Sequence, residues 1–153
     1  MAKLYRRARV RAFQALFEAD FGRIAALDAL RRSLPQSPLS PADRAYAETL
    51  VCGVTENAPA LDRIIAETAP AWPVEQIAVV DRTVLRIALY ELLLNNAAVP
   101  TGAAINEAVD LAKTFGSNAG RRFVNGVLGT VSRERLSSPV AQQAETEEPG
   151  GPV

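Results

Sequence analysis

Residues 80–93 read VDRTVLRIALYELL, and this stretch decides the fold. Its apolar residues are spread nearly all round a helical projection, which is typical of a helix that is buried on every side. We therefore predict a long central helix around which the other helices pack. Arg86 and Glu91 interrupt the apolar surface, and we expect each to form a salt bridge with a neighbouring helix. Asn106 and Glu107, on the next helix, are candidates to cap or pair with them.

The rest of the chain also has a helical pattern. Ala, Leu, Arg and Glu dominate, and strand-like alternation is absent. Glycine, proline and N-cap residues divide it into segments, as where Ser40 and Pro41 precede a helix and where Pro59 begins another. We predict an all-α, single compact domain over residues 1–136. Its helices, about seven, are expected near residues 3–21, 24–34, 41–54, 59–68, 79–94, 103–115 and 117–135.

The last part of the sequence, residues 137–153, differs in composition. It is rich in Pro, Gly, Gln and Glu and has few large apolar residues. A segment of this kind does not bury enough apolar surface to offset the entropy of ordering the chain. We therefore predict a disordered acidic and polar tail.

Composition argues against several classes of function. The sequence has no histidine and a single cysteine, Cys52. Histidine is the commonest general base and metal ligand, and zinc sites need several Cys or His residues. We therefore expect no catalytic residues, no metal and no cofactor, and we place Cys52 in the core. No apolar run is long enough to span a bilayer, so we expect a cytoplasmic protein that does not enter the membrane.

Charge is distributed unevenly along the chain. All 17 basic residues but only 14 of the 17 acidic residues lie within residues 1–136, which gives that part a net charge of +3. Residues 1–21 read MAKLYRRARVRAFQALFEADF, with five basic residues in the first eleven positions and no acid before Glu18. Cations at a helix N-terminus oppose the helix dipole, so stability does not account for them. A phosphate-bearing partner does, and a merely solvated helix face is the alternative.

A second basic cluster lies nearer the C-terminus. Arg121 and Arg122 precede Phe123, and Lys113 and Phe115 lie just upstream. Basic side chains hold the backbone of single-stranded RNA while aromatic rings stack on its bases, so this composition favours RNA binding. The helical spacing of Phe123 also fits a core residue, and that alternative stays open.

Several blocks of the sequence closely resemble the NusB family of bacterial transcription antitermination factors. They are LRIALYEL from Leu85, AINEAVDLAK and a following FG from Ala104, and FVNGVLG from Phe123. The arginine-rich opening RRARVRAFQALF, from Arg6, also matches the first helix of that family. The resemblance covers about residues 5–135.

The resemblance implies a NusB-like fold of two packed helical sub-bundles. It implies binding of boxA-type single-stranded RNA in nascent ribosomal transcripts, together with the small-subunit ribosomal protein that acts as NusE. It further implies docking on the RNA polymerase elongation complex with other Nus factors, which promotes read-through of terminators. Some family members self-associate through the RNA-binding face, so a homodimer is an additional expectation.

The resemblance also suggests which residues make these contacts. The RNA-binding candidates are Lys3, Arg6, Arg7, Arg9, Gln14, Lys113, Phe115, Arg121, Arg122, Phe123 and Asn125. The candidates for contact with the ribosomal protein are Phe17, Glu75 and Asp81. The sequence departs from the family at Ala119 and Gly120, where members often carry an acid or a serine.

Two further expectations follow from these assignments. Replacement of Arg6, Arg7 and Arg9 by alanine should abolish most RNA binding and barely change stability. Asp81→Lys should weaken partner binding and leave the fold intact. Two alternative functions stay open: the N-terminal RNA-binding domain of a ribosomal RNA methyltransferase, and a helical module that binds only proteins.

Overall fold

The computed structural model describes residues 4–95 and 98–136, and in this part of the chain it contains helices and no strands. The predicted tail at 137–153 and the RNA-binding candidate Lys3 lie outside the described residues. The described residues form six α-helices: α1 (Arg6–Phe21), α2 (Ala26–Ser33), α3 (Pro41–Thr68), α4 (Val79–Leu89), α5 (Thr101–Phe115) and α6 (Asn118–Val131). A short 3-10 helix, Val74–Gln76, precedes α4, and π-helical turns at Tyr90–Leu94 and Ser132–Leu136 extend α4 and α6.

The prediction of about seven helices is wrong because Pro59 does not begin a new helix. It lies inside the continuous 28-residue helix α3. A proline within a helix costs about 3 kcal/mol because it removes one hydrogen bond and crowds the preceding turn. Leu61 and Ile65, which follow it, are fully buried on the same face as Leu50 and Val54 before it. Burial of two such side chains contributes about 3–6 kcal/mol, enough to keep the helix continuous.

The N-terminus of α3 forms as the sequence predicts. The Ser40 hydroxyl accepts a hydrogen bond from the backbone N–H of Asp43 at 3.1 Å, and Pro41 occupies the first helical position. Such a cap satisfies one of the free N–H groups of the first turn and contributes about 1 kcal/mol.

The helices pack in two groups joined by α4. In the first group, α1 packs against α2 and α3, and in the second α5 and α6 pack against each other and against α4. Helix α4 also contacts α1 and α3. Its side chains from Val84 to Leu89 are buried except at Arg86. The predicted central helix is therefore confirmed.

Arg86 and Glu91, the two charged residues for which salt bridges were predicted, both form them. Arg86 donates to both carboxylate oxygens of Asp62 on α3, at 2.7 and 2.8 Å, and Glu91 pairs with Arg9 on α1.

No described helix combines the length and the apolar character that crossing a membrane requires.

The packing of α3 on the end of α4 predicts opposite effects for two glycine substitutions. A Cβ atom on Gly53 would lie 2.2 Å from the ring of Tyr90, whereas one on Gly126 of α6 would have no atom within 4 Å. We expect Gly53→Ala to lower the free energy of unfolding by about 1–3 kcal/mol through overpacking. The higher helix propensity of alanine offsets a small part of this loss. Gly126→Ala should raise it by up to about 1 kcal/mol. Urea denaturation measures both, and equal shifts of the same sign would contradict the packing described.

Candidate functional site

The first helix begins beside a buried ion pair. Arg9 donates from Nε and Nη2 to the two carboxylate oxygens of Glu91, at 3.0 and 2.7 Å, and from Nη1 to the Leu4 carbonyl at 2.8 Å. The Tyr46 hydroxyl donates to the same Glu91 carboxylate. Burial and the hydrogen bond to Glu91 raise the pKa of Tyr46, which therefore stays protonated as a donor. The Tyr46 ring also stacks on that of Tyr5, with ring centroids 4.0 Å apart.

The expectation that Arg9 contacts RNA is contradicted by this arrangement. Arg9 is 1% exposed and all its charge faces Glu91 and the nearby Glu107. Removal of one partner from a buried ion pair leaves the other charge uncompensated, at a cost of about 3–5 kcal/mol. The expectation that alanine at Arg6, Arg7 and Arg9 barely changes stability is therefore wrong.

The other arginines of α1 face outward. Arg6 forms a bidentate pair with Glu107, at 3.0 and 2.8 Å, yet its side chain is 68% exposed. That hydrogen bond and the charge of Glu107 raise the pKa of Arg6. Arg7 is exposed and forms no ion pair with a described residue. Gln14 is exposed two turns further along the same helix.

Arg11 is a basic residue that the sequence-based selection of sites missed. It donates to the Ser37 carbonyl and, at 2.5 Å, to the Ser33 hydroxyl. Both acceptors are uncharged, so the positive charge of Arg11 is not neutralised. Arg11 and Arg7 line an open groove of about 620 Å³ between α1 and the loop after α2, which we call the basic groove. The position of Arg11 within the basic run of α1 was the sequence signal that could have identified it as a candidate.

No described residue that lines the basic groove is acidic. Its lining comprises Arg6, Arg7, Val10, Arg11, Ser37, Pro38 and Leu39. A second groove, on the α5 side of Arg6, has mixed charge, because Glu107 and Asp110 line it together with Arg6 and Arg9. The side chain of Arg6 therefore borders both grooves.

Only part of the second basic cluster, around Arg121, lies near the basic residues of α1. Phe115, at the end of α5, packs on Phe13 of α1 with ring centroids 4.9 Å apart and shares a groove with Arg6. Arg122 is exposed and Arg121 half-buried in the first turns of α6. The structure places Lys113 and Asn125 at exposed positions of α5 and α6, and neither lines the two grooves that border Arg6.

Phe123 lines a different pocket from the basic groove. It is half-buried, and its ring meets Trp72 edge to face with centroids 6.5 Å apart. The pocket between them, of about 260 Å³, we call the Trp72 pocket. Neither the RNA-binding nor the core interpretation of Phe123 alone describes this position.

An aromatic row runs along the C-terminal half of α1. Phe17 contacts Phe13 and Phe21, with ring centroids 5.7 and 4.9 Å away. Phe21 is 67% exposed and was missed as a candidate, although its spacing of four residues from Phe17 was visible. Glu75 is exposed on the 3-10 helix and lines an open cleft with Asp20, near the end of α1, together with Asp62 and three arginines. The structure therefore brings two predicted partner residues to the same end of α1.

Asp81, the third predicted partner residue, is not an exposed acid. It is 8% exposed, and burial raises the pKa of its carboxyl. A Cβ atom on Gly120 of α6 would lie 2.5 and 2.7 Å from the two Asp81 oxygens. The carboxylate thus occupies the space that the glycine leaves open, next to the positive end of the α6 dipole. The expectation that Asp81→Lys leaves the fold intact assumed an exposed acid, and the structure contradicts that assumption because Asp81 is buried against Gly120.

Comparison with protein families matches residues 6–133 of this chain to the description "NusB family". The chain belongs to the NusB family. A transcription antitermination protein NusB from Chloroflexus aggregans is 46% identical over 144 residues, which span 94% of this chain and 96% of that relative. The NusB of a Roseiflexus species is 49% identical over 132 residues, spanning 86% and 93%.

Solved NusB structures have the same fold as this chain. T. maritima NusB superimposes with a TM-score of 0.79 at 32% identity, covering 88% of this chain and 94% of that one. A crystal structure of the antitermination factors NusB and NusE with double-stranded RNA also gives 0.79, at 23% identity, with coverage of 87% and 98%. At this identity, the similarity to the second structure concerns the fold alone.

The buried pair of this NusB-family chain predicts a large difference between neighbouring arginines. We expect Arg9→Ala to lower the free energy of unfolding by about 3–5 kcal/mol. Arg7→Ala, at an exposed position, should change it by less than about 0.5 kcal/mol. Urea denaturation followed by circular dichroism measures both.

A double substitution tests the reason for that difference. Arg9→Met with Glu91→Gln removes both charges and keeps an acceptor for the Tyr46 hydroxyl, so it should recover most of the stability that Arg9→Ala loses. If the double variant is less stable than Arg9→Ala, the unpaired charge of Glu91 is not what destabilises Arg9→Ala.

Proposed function

We propose that this chain is an RNA-binding transcription antitermination factor. It binds boxA-type single-stranded RNA of nascent ribosomal transcripts together with the ribosomal protein that acts as NusE, and it promotes read-through by RNA polymerase. Its membership of the NusB family and the antitermination role named for its relatives support this proposal. The observation that carries it is the basic groove, which presents cations at the surface and is lined by no acid in the described part of the chain.

The basic groove fits a phosphate backbone better than a protein surface. The charges of Arg7 and Arg11 are not neutralised by any described acid, and the groove between them is open to solvent. Uncompensated cations at the start of a helix destabilise it through the helix dipole. Phosphates that bind there neutralise these cations, and the release of counterions favours binding. Arg6 contributes less, since Glu107 already shares its charge.

Residues beyond the groove extend the proposed RNA path. Arg121 and Arg122 supply cations at the start of α6, and Phe115 and Phe123 supply aromatic surface. Such a combination holds single strands through backbone charge and base stacking. Gln14, Lys113 and Asn125 are proposed contacts on the same basis, and Lys3 remains a prediction.

The proposed partner surface is the exposed end of the aromatic row. Phe17 and Phe21 give it an apolar centre, and Glu75 gives it an acid without a described ion-pair partner. Exposed aromatics beside an acid suit a basic ribosomal protein. Asp81 is not part of this exposed surface. A partner can contact it only with a group that enters the Trp72 pocket.

The remaining parts of the proposal concern assembly. The factor acts without catalysis or cofactor, in the cytoplasm, as part of an RNA polymerase elongation complex with other Nus factors. Self-association through the RNA-binding face is a competing state that withholds the basic groove from RNA. Residues 1–136 form the functional domain in this proposal.

The basic groove predicts a specific loss of salt dependence. For single strands, the log–log slope of affinity against salt is about −0.7 per phosphate neutralised. Arg7→Gln with Arg11→Gln should therefore flatten the slope for boxA-like RNA by about 1.4. Arg63→Gln, which removes an exposed arginine of α3 that lines the Asp20 cleft instead, should leave it unchanged.

Filter binding across a salt series, with a melting-temperature control, gives these slopes. An unchanged slope in the double variant would remove the basic groove from the RNA interface. Equal affinity of the wild type for boxA-like and scrambled RNA would contradict boxA recognition, and no RNA binding at all would favour a module that binds only proteins.

A further inference from the structure

A second cationic groove lies beside the basic groove, between the end of α2 and the start of α3. Its volume is about 340 Å³, and we call it the α2–α3 groove. Arg31 of α2 and Arg44 of α3 supply its charge, and no acid of the described chain lines it. The rest of its lining is apolar and comprises Leu34, Pro35, Pro38 and Leu39.

The two grooves meet at the loop after α2. Pro38 and Leu39 line both of them, so a strand that lies in the basic groove can continue directly into the α2–α3 groove. This loop is held in place from the basic groove, because Arg11 donates to the Ser37 carbonyl and to the Ser33 hydroxyl. The Ser37 N–H also donates to the Ser33 carbonyl, at 3.2 Å.

The charge of the α2–α3 groove is only partly neutralised. Arg31 and Arg44 approach the same Glu48 carboxylate through Nε, at 3.9 and 3.5 Å, and their side chains are 55% and 54% exposed. Both distances exceed those of a good hydrogen bond, and exposed pairs of this kind interact weakly. One carboxylate between two guanidinium groups leaves a positive charge, and Asp43, next to Arg44 in sequence, does not line the groove.

The lining of the α2–α3 groove is poorly suited to reading a base sequence. Apart from the two arginines, none of its side chains can form a hydrogen bond with a base. Sequence-specific recognition of single strands depends on hydrogen bonds to base edges, whereas an apolar surface accepts the face of any base. The arginines are therefore left to the phosphates, which every nucleotide carries.

We propose that the α2–α3 groove binds nucleotides that flank the boxA-type element, through two phosphates and without reading their sequence. RNA is favoured over an acidic protein segment because the groove continues from the proposed RNA path across Pro38 and Leu39. This inference rests on the RNA binding proposed above and adds a second contact region to it. It makes affinity depend on the length of the RNA beyond the recognised element.

The test compares RNAs of different length. One is a boxA-like strand of about ten nucleotides, and two others carry about six further uridines at the 5′ or the 3′ end. We expect the extension at one end to steepen the log–log salt slope by about 1.4, for two more phosphates. The gain in affinity from that extension should then fall about sevenfold between about 50 and 200 mM salt. Filter binding across a salt series measures all three strands.

A double substitution assigns the gain to the α2–α3 groove. Arg31→Gln with Arg44→Gln should remove the steepening by the extension and leave the slope for the short strand unchanged. Arg32→Gln with Arg63→Gln is the matched control, because it removes the same charge from exposed positions of α2 and α3 that line neither groove. The control should retain the steepening, and melting temperatures show that both variants are folded.

A change of sequence tests whether the bases are read. An extension of cytidines should give the same gain in affinity as the uridines, to within about twofold. A larger difference that the double variant abolishes would show base recognition in the groove and overturn the proposal as stated.

The other outcomes separate this proposal from the RNA function itself. If neither extension steepens the slope, or if the double variant keeps the steepening, the second contact region is overturned while binding of the short strand leaves the RNA function intact. No binding of any strand overturns both. An unchanged RNA gain, together with weaker binding of the ribosomal partner by the double variant, would assign the groove to protein and overturn the RNA proposal for it.

Discussion

The buried pair between Arg9 and Glu91 is the constraint on which the rest of the structure depends. It joins the first helix to the end of the central one, and the Tyr46 hydroxyl adds α3 to the same junction. A buried ion pair contributes little net stability compared with an apolar contact, but a broken one is costly. The pair therefore acts mainly by requiring one rotation of α1. That rotation turns Arg7 toward solvent and Arg11 toward the loop after α2.

One run of arginines thus serves two purposes. The inward residue holds helices together, while the outward ones remain charged at the surface, where a phosphate backbone can reach them. Arg6 is intermediate, since its charge is shared with Glu107 but its side chain stays exposed. The electrostatic misfit at the start of α1 is consequently concentrated in Arg7 and Arg11. In the function proposed above, RNA phosphates that bind there offset this misfit.

Much of the fold could be predicted because it follows from local pattern. Apolar residues all round residues 80–93 require burial, and Ser40 with Pro41 has the residue types that favour the start of a helix. What depended on tertiary contacts could not be predicted. Pro59 stays helical because buried residues lie on both sides of it, and the direction of Asp81 depends on the missing Cβ of Gly120. For the same reason, the pattern could not show that Arg9, which the family resemblance placed among the RNA contacts, is the buried partner of Glu91.

The most direct test of this account asks whether Arg9 contributes to RNA binding at all. The measurement is the salt dependence of affinity for boxA-like RNA in the variant with Arg9→Met and Glu91→Gln, once its melting temperature shows that it is folded. The account predicts the wild-type slope, because the charge of Arg9 is already neutralised by Glu91. A slope flatter by about 0.7, one phosphate contact, would contradict it and return Arg9 to the RNA interface.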